Sequence, residues 1–424
     1  MRPLALTLLL AAAGLAQTNT SAEVAGFSTG RLERLHQMLD RQVDNHILPG
    51  VVTLLARHGQ IADVHAYGKG DLGSGAALRE DSLFRIFSMT KPVTGVAMMI
   101  LYEQGKWSPS DRLSKYIPEF AGLKVLRSMG ADGKPVLEDP VHPPTMAELM
   151  SHTAGFSYGF DPTAPADKLY LEAKPFDVPN LGQMIGRLAG LPLAYQPGTK
   201  WVYSLSVDIQ GYLVEKLSGK PLGEFMRENI FQPLGMKDTA FFVTADRLPR
   251  LVTLYGTNAK GELAPNSAAP LGIDWTRETT RPLGGAGLVS TARDYYRFAQ
   301  MLLNNGELDG VRVLSPSTVT LMRTNRLDPS LTSANQFGVG FFHINRGFGF
   351  GFDFGVFFDP AVISRPLGKG SYTWEGAAGT WFWIDPANDV VFVGMVQRLV
   401  GPLSPDLGTL SQQAVYQALL HPGN

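Results

Sequence analysis

Ser88-Met89-Thr90-Lys91 sets a hydroxyl and an amine three residues apart at the mouth of an apolar helical pattern. On a helix that spacing brings both side chains to one face, and a serine beside a lysine can carry out serine acyl transfer. A protonated ammonium cannot take the hydroxyl's proton, so neighbouring groups must help the amine reach its neutral form. Pro92 fits only near the first turn of a helix, which places the start of the Thr90–Glu103 pattern close to Ser88. A strand-like run over residues 82–87 leads in, so Ser88 is expected at the turn between strand and helix. The unpaired N–H groups and the positive end of the helix dipole favour anions there, and the Ser88 N–H can face a developing oxyanion.

Two further stretches could complete such a site. In Pro197-Gly198-Thr199-Lys200-Trp201-Val202-Tyr203-Ser204, a turn leads into a short strand-like piece whose Tyr203 could share a proton with Lys91 or simply be a buried tyrosine. In Trp374-Glu375-Gly376-Ala377-Ala378-Gly379, small residues close one strand and open another. Glycines there let a substrate approach the backbone, and the bland alternative is a plain hairpin turn.

These pieces need a scaffold. Apolar residues Leu32, Leu35, Met38, Leu39 and Val43 recur at helical spacing over residues 30–45, and Pro49-Gly50 ends the pattern. Residues 51–57 and 61–67 read as a hairpin around His58-Gly59. Near the other end, residues 372–374, 380–384 and 390–396 read as strands and 404–420 as a helix. Between them, residues 146–151, 180–188, 207–217, 222–230 and 292–304 look helical, separated by Pro- and Gly-rich segments. The expected fold class is α+β: one antiparallel sheet built from both chain ends and flanked by helices, with an inserted, mainly helical lobe. The expected division is a discontinuous α/β domain of residues 27–95 plus 285–424 and a mainly helical domain of 96–284. In Gly347-Phe348-Gly349-Phe350-Gly351-Phe352-Asp353-Phe354, strict alternation predicts one strand with four phenylalanines on one face.

Among 424 residues, 37 Lys and Arg nearly balance 38 Asp and Glu without a block of one sign, which argues against nucleic acid as a partner. The absence of cysteine excludes disulfides, thiolate metal sites and cysteine nucleophiles. The leader MRPLALTLLLAAAGLAQT has one Arg, an apolar run of about 12 residues against the ~20 needed to span a bilayer, and small residues Gly14 and Ala16 at a cleavage position. It reads as a signal peptide over residues 1–16, so a periplasmic or secreted location is expected, without stable membrane insertion.

The Ser-Lys, Tyr and Trp-Glu-Gly elements, in this order within this frame, resemble the family VIII carboxylesterases, which share the fold of class C β-lactamases and penicillin-binding proteins. Leu149-Met150-Ser151-His152-Thr153-Ala154-Gly155-Phe156, Tyr195-Gln196-Pro197-Gly198 and Gly284-Gly285-Ala286-Gly287-Leu288-Val289-Ser290-Thr291 also look like segments of that family. The resemblance implies a serine β-lactamase-like fold. It makes Ser88 the acylated nucleophile, Lys91 and Tyr203 a joint general base and later acid, and the N–H groups of Ser88 and Ala377 the oxyanion hole. It also implies an ester hydrolase for short acyl chains, possessing no cofactor and no metal, acting on a small-molecule ester. Weak cephalosporin hydrolysis, a β-lactamase or D,D-peptidase-like penicillin-binding protein, and an acyltransferase to an alcohol are the alternatives. The β-lactamase pattern has Asn where Ser204-Leu205 follow Tyr203 here, and K-T-G where Trp374-Glu375-Gly376 stand. Both departures remove polar contacts and favour a neutral, apolar ester. Trp374, Gly376, Phe156 and Tyr158 are expected at the substrate pocket.

Gly155-Phe156-Ser157-Tyr158-Gly159 matches the G-x-S-x-G elbow, but a helical segment before it and Asp161-Pro162 after it are the wrong context, so Ser157 is expected to be a loop serine. None of the eight histidines forms a metal-ligand pattern, and His152 is expected to satisfy buried backbone groups.

Overall fold

The computed structural model describes residues 22–266, 268, 270–333, 344–401 and 404–423. The leader therefore lies outside the described residues. A seven-stranded antiparallel sheet runs, in spatial order, Phe348–Phe350, Gly355–Phe357, Ser371–Glu375, Trp381–Asp385, Val390–Met395, Gly50–Arg57 and Gln60–Gly68. The N-terminal hairpin thus pairs with the last C-terminal strand, as expected of a sheet made from both ends. Strands Gly50–Arg57 and Val390–Met395 are buried at every position. Helices Thr29–Asp44 and Leu407–Tyr416 pack together on the sheet, and helix Ala292–Leu303 packs against its central strands. With both faces covered, side chains pointing either way enter core, which is why these strands are mostly apolar on both faces, with Thr53 and Arg57 the polar members, rather than alternating.

The helical segments fall close to their expected positions: Met146–Met150, Leu181–Ala189, Ser206–Ser218, Leu222–Met226 and Ala292–Leu303. The intervening chain also carries small hairpins, Val125–Met129 with Pro135–Glu138 and Tyr255–Thr257 with Leu263–Pro265. The expected strand before Ser88 shrinks to Phe84–Arg85, paired with Val289–Ser290.

The phenylalanine-glycine segment departs from its expected form. It is a hairpin, Phe348–Phe350 with Gly355–Phe357, turning through Asp353 at φ 61°. A short polar side chain tolerates the left-handed conformation, and all four phenylalanines are buried. Asp353 is enclosed against the helix Thr90–Glu103, where its Oδ2 is so near Gly95 that a Cβ there would approach to 2.8 Å. Its Oδ1 accepts from Gln210 Nε2 at 3.0 Å. Burial pushes its carboxyl well above the usual range, against smaller lowering effects from Gln210 and Lys91. Asp353 Oδ2 and Gln210 Oε1 are both enclosed without a hydrogen-bond partner among the described residues, which also disfavours the charged carboxylate.

A carboxyl in the unfolded chain ionises near ~4, whereas the buried Asp353 keeps its proton to higher pH. Between those two values the folded state binds more protons, so stability is full below the lower value and declines as pH rises toward the upper one. Asp353→Asn keeps an amide donor and acceptor for Gln210 and carries no proton linkage. Its thermal midpoint is expected to exceed the parent's by a margin that widens from about pH 5 to about pH 8. Melting curves that stay parallel across that range would show that the carboxyl ionises normally.

Candidate active site

Ser88 sits in a single tight turn, Phe87–Met89, that runs directly into the helix Thr90–Glu103. Phe87 is held at φ 43°, an uncommon conformation for a bulky side chain. It is kept there from several sides: Ile86 N–H donates to Leu288, Thr380 Oγ1 donates to Ile86 O, and Tyr295 Oη donates to Met89 O at 2.9 Å. Ser88 itself remains partly exposed.

Lys91 is 1% exposed. Its Nζ donates to Ser88 Oγ at 3.2 Å, to Tyr158 Oη at 3.1 Å and to the Gly285 carbonyl at 2.7 Å. The segment from Gly284 to Leu288 is bound along this helix. Thr94 Oγ1 donates to Gly284 O at 2.7 Å and Leu288 N–H donates to Thr90 Oγ1 at 3.1 Å. Lys91 therefore meets a carbonyl fixed at both ends. Tyr158 passes the connection on, donating to Asp208 Oδ2 at 3.2 Å, while Asp208 Oδ1 accepts the Gly285 N–H at 2.9 Å. Burial holds the Tyr158 phenol well above its usual range, and the charge of Asp208 adds to the effect. Burial also raises Asp208, against the lowering influence of Lys91 and the Gly285 N–H. Only glycine fits at 285, because a methyl group would fall 2.7 Å from Asp208 Oδ2 and 2.8 Å from Tyr158 Oη.

Tyr203 reaches the site differently from the expected shared proton. Lys91 Nζ stands over its ring, 4.7 Å from the centroid, and makes its phenol hydrogen bond to Tyr158 instead. The Tyr203 ring packs 5.4 Å from both Tyr158 and Trp374. Phe350 braces this aromatic wall from behind, contacting Trp374, Trp201 and His152. Trp374 faces Tyr203, and the last residue of the strand, Glu375, points the other way, near Gly408 and Asp406. Burial, with Asp406 close by, pushes its carboxyl up to about 8.

After Glu375 the chain makes a tight turn closed by Gly376 N–H to Thr380 O at 2.7 Å and Gly379 N–H to Gly376 O at 2.9 Å. Gly376 lies flat on Ile86 O, which a side chain would block, so the turn sits beside the Ser88 turn. Ala377 is exposed at its tip with its carbonyl bound by Val400 N–H.

Two expected positions resolve as structural. Phe156 is 1% exposed and packs in the core against Phe120 at 5.5 Å, so it is not a pocket wall. The turn at Gly155, φ 91°, sends it inward and leaves Tyr158 facing Lys91. Ser157 Oγ is hydrogen-bonded to Asp167 and accepts from Gly159 N–H at 3.1 Å, bracing a loop. His152 accepts the Ser204 N–H at Nδ1, and burial lowers it well below the usual histidine value. No group of three or more potential metal ligands occurs among the described residues.

Asp208, Gly285 and the direct bond from Tyr158 to Lys91 were not singled out by sequence reasoning. The available signal was an aspartate in the apolar run Ser206-Val207-Asp208-Ile209, where a charge must have a buried partner.

Comparison with known proteins agrees with this geometry. The family described as Beta-lactamase matches residues 35–416. Protein Rv1367c of Mycobacterium tuberculosis strain H37Rv is 36% identical over 383 residues, covering 88% of this chain and 90% of its own. Esterase EstB of Burkholderia gladioli is 29% identical over 432 residues, covering 96% of this chain and 100% of its own. The solved structure of EstCE1, described as a hydrolase with promiscuous acyltransferase activity, superposes with a TM-score of 0.75 at 27% identity, over 91% of this chain and 99% of that one. The family VIII esterase-like serine hydrolase expected from the sequence is borne out, and the chain belongs to the Beta-lactamase family.

Proposed function

We propose that this protein is a carboxylesterase that hydrolyses short-chain acyl esters through an acyl-enzyme on Ser88. The observation that carries the reading is the buried Lys91 amine 3.2 Å from a partly exposed serine hydroxyl at a helix start. Ser88 Oγ attacks the ester carbonyl carbon while Lys91, in its neutral form, takes the hydroxyl proton. The tetrahedral oxyanion is held by the N–H groups of Ser88 and Ala377. The C–O bond then breaks as Lys91 returns the proton to the leaving alcohol, and Tyr203, whose ring rather than hydroxyl faces Lys91 before substrate enters, joins the relay when the ester oxygen draws the two groups together. Water attacks the acyl-enzyme, gives its proton to the same pair, and releases the acid while Ser88 regains its hydrogen. Tyr158, anchored on Asp208, keeps the Lys91 amine aimed at Ser88.

Loss of polar recognition supports an ester over a β-lactam. Trp374 stands where a lysine would face a β-lactam carboxylate, and the Ser204 hydroxyl is engaged by Ser206 at 2.7 Å and His152 at 3.1 Å. An alkoxide or phenoxide also leaves with less acid assistance than an amine. Transfer of the acyl group to an alcohol uses the same residues, with the alcohol replacing water. The apolar leader supports an exported protein trimmed after Ala16.

With p-nitrophenyl butyrate, Ser88→Ala is expected to lose at least ~10³-fold in turnover and to give no acyl adduct by mass spectrometry, whereas Ser157→Ala keeps activity. Activity surviving in Ser88→Ala and vanishing in Ser157→Ala reverses the assignment. Tyr203→Phe is expected to cost about 10²- to 10⁴-fold in kcat, the range of a group that moves a proton. Tyr158→Phe removes one anchor of Lys91 and should lose less, about tenfold to a hundredfold. The opposite ranking would make Tyr158 the proton-transfer tyrosine.

A further inference from the structure

Beside Tyr158 opens a cavity of about 780 Å³, walled by Phe160, Leu171, Phe176, Val178 and Leu271 and carrying the side chains of Arg281, Lys174 and Asp177. Tyr158 lines it and also touches the reaction centre, with its hydroxyl 3.1 Å from Lys91 Nζ, which is itself 3.2 Å from Ser88 Oγ. A short acyl chain would fill a small part of this space. Phe160 and Leu171 are 55% and 46% exposed, so apolar surface that costs free energy in water lines the mouth.

Arg281 is the unexpected member of the wall. Its Nη2 donates to the carbonyls of Leu271 at 3.0 Å and Gly272 at 3.1 Å, which fixes the turn across the cavity. Its Nη1 is enclosed and has no acceptor among the described residues. Asp208 and Asp177 influence the guanidinium only through space, and neither makes a hydrogen bond to it among the described residues. A half-buried guanidinium without its anion is costly, and the cost is recovered when a carboxylate completes the fork. With Lys174 added and Asp177 subtracted, the cavity keeps one positive charge in excess.

We propose that this cavity is a substrate subsite for an ester half that has an extended apolar body ending in a carboxylate, and that Arg281 reads that carboxylate. The inference rests on the esterase reading of Ser88 and deepens it by naming the substrate class: half-esters of dicarboxylic acids, or esters of hydroxy acids. The sequence departures that removed a cation at Trp374 point to a neutral ester. Arg281 stands on a different wall and restores anion recognition there. An entering carboxylate oxygen would fill the acceptor place that Nη1 lacks while Nη2 stays on Leu271 and Gly272, and the chemistry at Ser88 is unchanged.

Two matched pairs of esters test the proposal. On the acyl side, the p-nitrophenyl monoester of suberic acid is compared with p-nitrophenyl octanoate; on the alcohol side, the butyrate ester of ω-hydroxyoctanoic acid with octyl butyrate. The parent is expected to favour the carboxylate member of one pair by about tenfold or more in kcat/KM, mainly through KM. Arg281→Gln should bring that ratio close to one, and Arg281→Lys should keep part of it. Equal rates within both pairs, or a preference that survives Arg281→Gln, overturns the proposal. Calorimetric binding of monomethyl suberate against methyl octanoate to Ser88→Ala, with and without Arg281→Gln, reads the subsite without catalysis. If no ester is turned over yet monomethyl suberate binds in an Arg281-dependent way, the esterase reading fails and the subsite stands. If Arg281→Gln fails to fold, the Arg281→Lys ratio and binding decide.

Discussion

The site is organised around one buried amine. Lys91 meets three oxygens, of which two are positioned by the rest of the protein and one belongs to Ser88, so the neutral amine can donate its two hydrogens to the first two and turn its lone pair to the serine hydroxyl. A lysine stem samples many rotamers in water, and ordering it costs entropy that only specific contacts offset. Here the Gly285 carbonyl and the Tyr158 phenol define the direction of Nζ, so Ser88 receives what remains. Asp208 is behind both of them, accepting from Gly285 N–H and from Tyr158 Oη. One carboxylate therefore aligns both anchors of the lysine, which explains why an aspartate is tolerated in the first turn of an otherwise buried helix.

The two buried aspartates act differently on the same cation. Asp208 is tied to an N–H and a phenol, and its charge lies one hydrogen bond removed from Lys91. Asp353 has one amide donor and an enclosed second oxygen, so burial dominates and favours its neutral form. A second ionised carboxylate near Lys91 would stabilise the ammonium and oppose proton uptake by the amine. The neutral acid against Gly95 accepts from Gln210 without adding that charge. The hairpin can therefore lie close behind the catalytic helix and support Trp374 through Phe350.

Much of this was legible in the sequence where local rules govern. Pro92 marked the helix start, and the Thr90–Glu103 helix lies where the pattern placed it. The terminal hairpins and helices followed from periodicity and turn residues, and pairing of the two ends followed from their matching types. The phenylalanine run misled because alternation specifies faces only while a strand continues, and Asp353 can turn the chain without a glycine at that position. Phe156 misled because its neighbour Gly155 rotates it into core. The Lys91–Tyr158–Asp208 chain joins residues 67 and 50 positions apart, and no local pattern encodes such separations. Tyr158 was in view as a pocket residue, but its bond to Lys91 depends on how the loop after Met150 is folded back.

Backbone shape also limits what the site can bind. Ser88 follows a residue at positive φ, and the turn at Gly376 lies against the carbonyl of Ile86 with no room for a side chain. The two backbone segments that would hold an oxyanion are thus locked to each other through Ile86 and Thr380. Such a pair can be aimed at the transition state without reorganising when charge develops. Rigidity on this side leaves substrate discrimination to the opposite side, where the 158–179 segment and the turn at Leu271 enclose a larger and partly apolar space. Separating a fixed oxyanion site from a roomier recognition wall lets the wall change chemistry with little disturbance to the lysine, because Tyr158 and the packing of Phe160 on Tyr203 are what join the two. A cation lost at Trp374 and another present at Arg281 are, in that sense, changes on two walls around an unchanged centre.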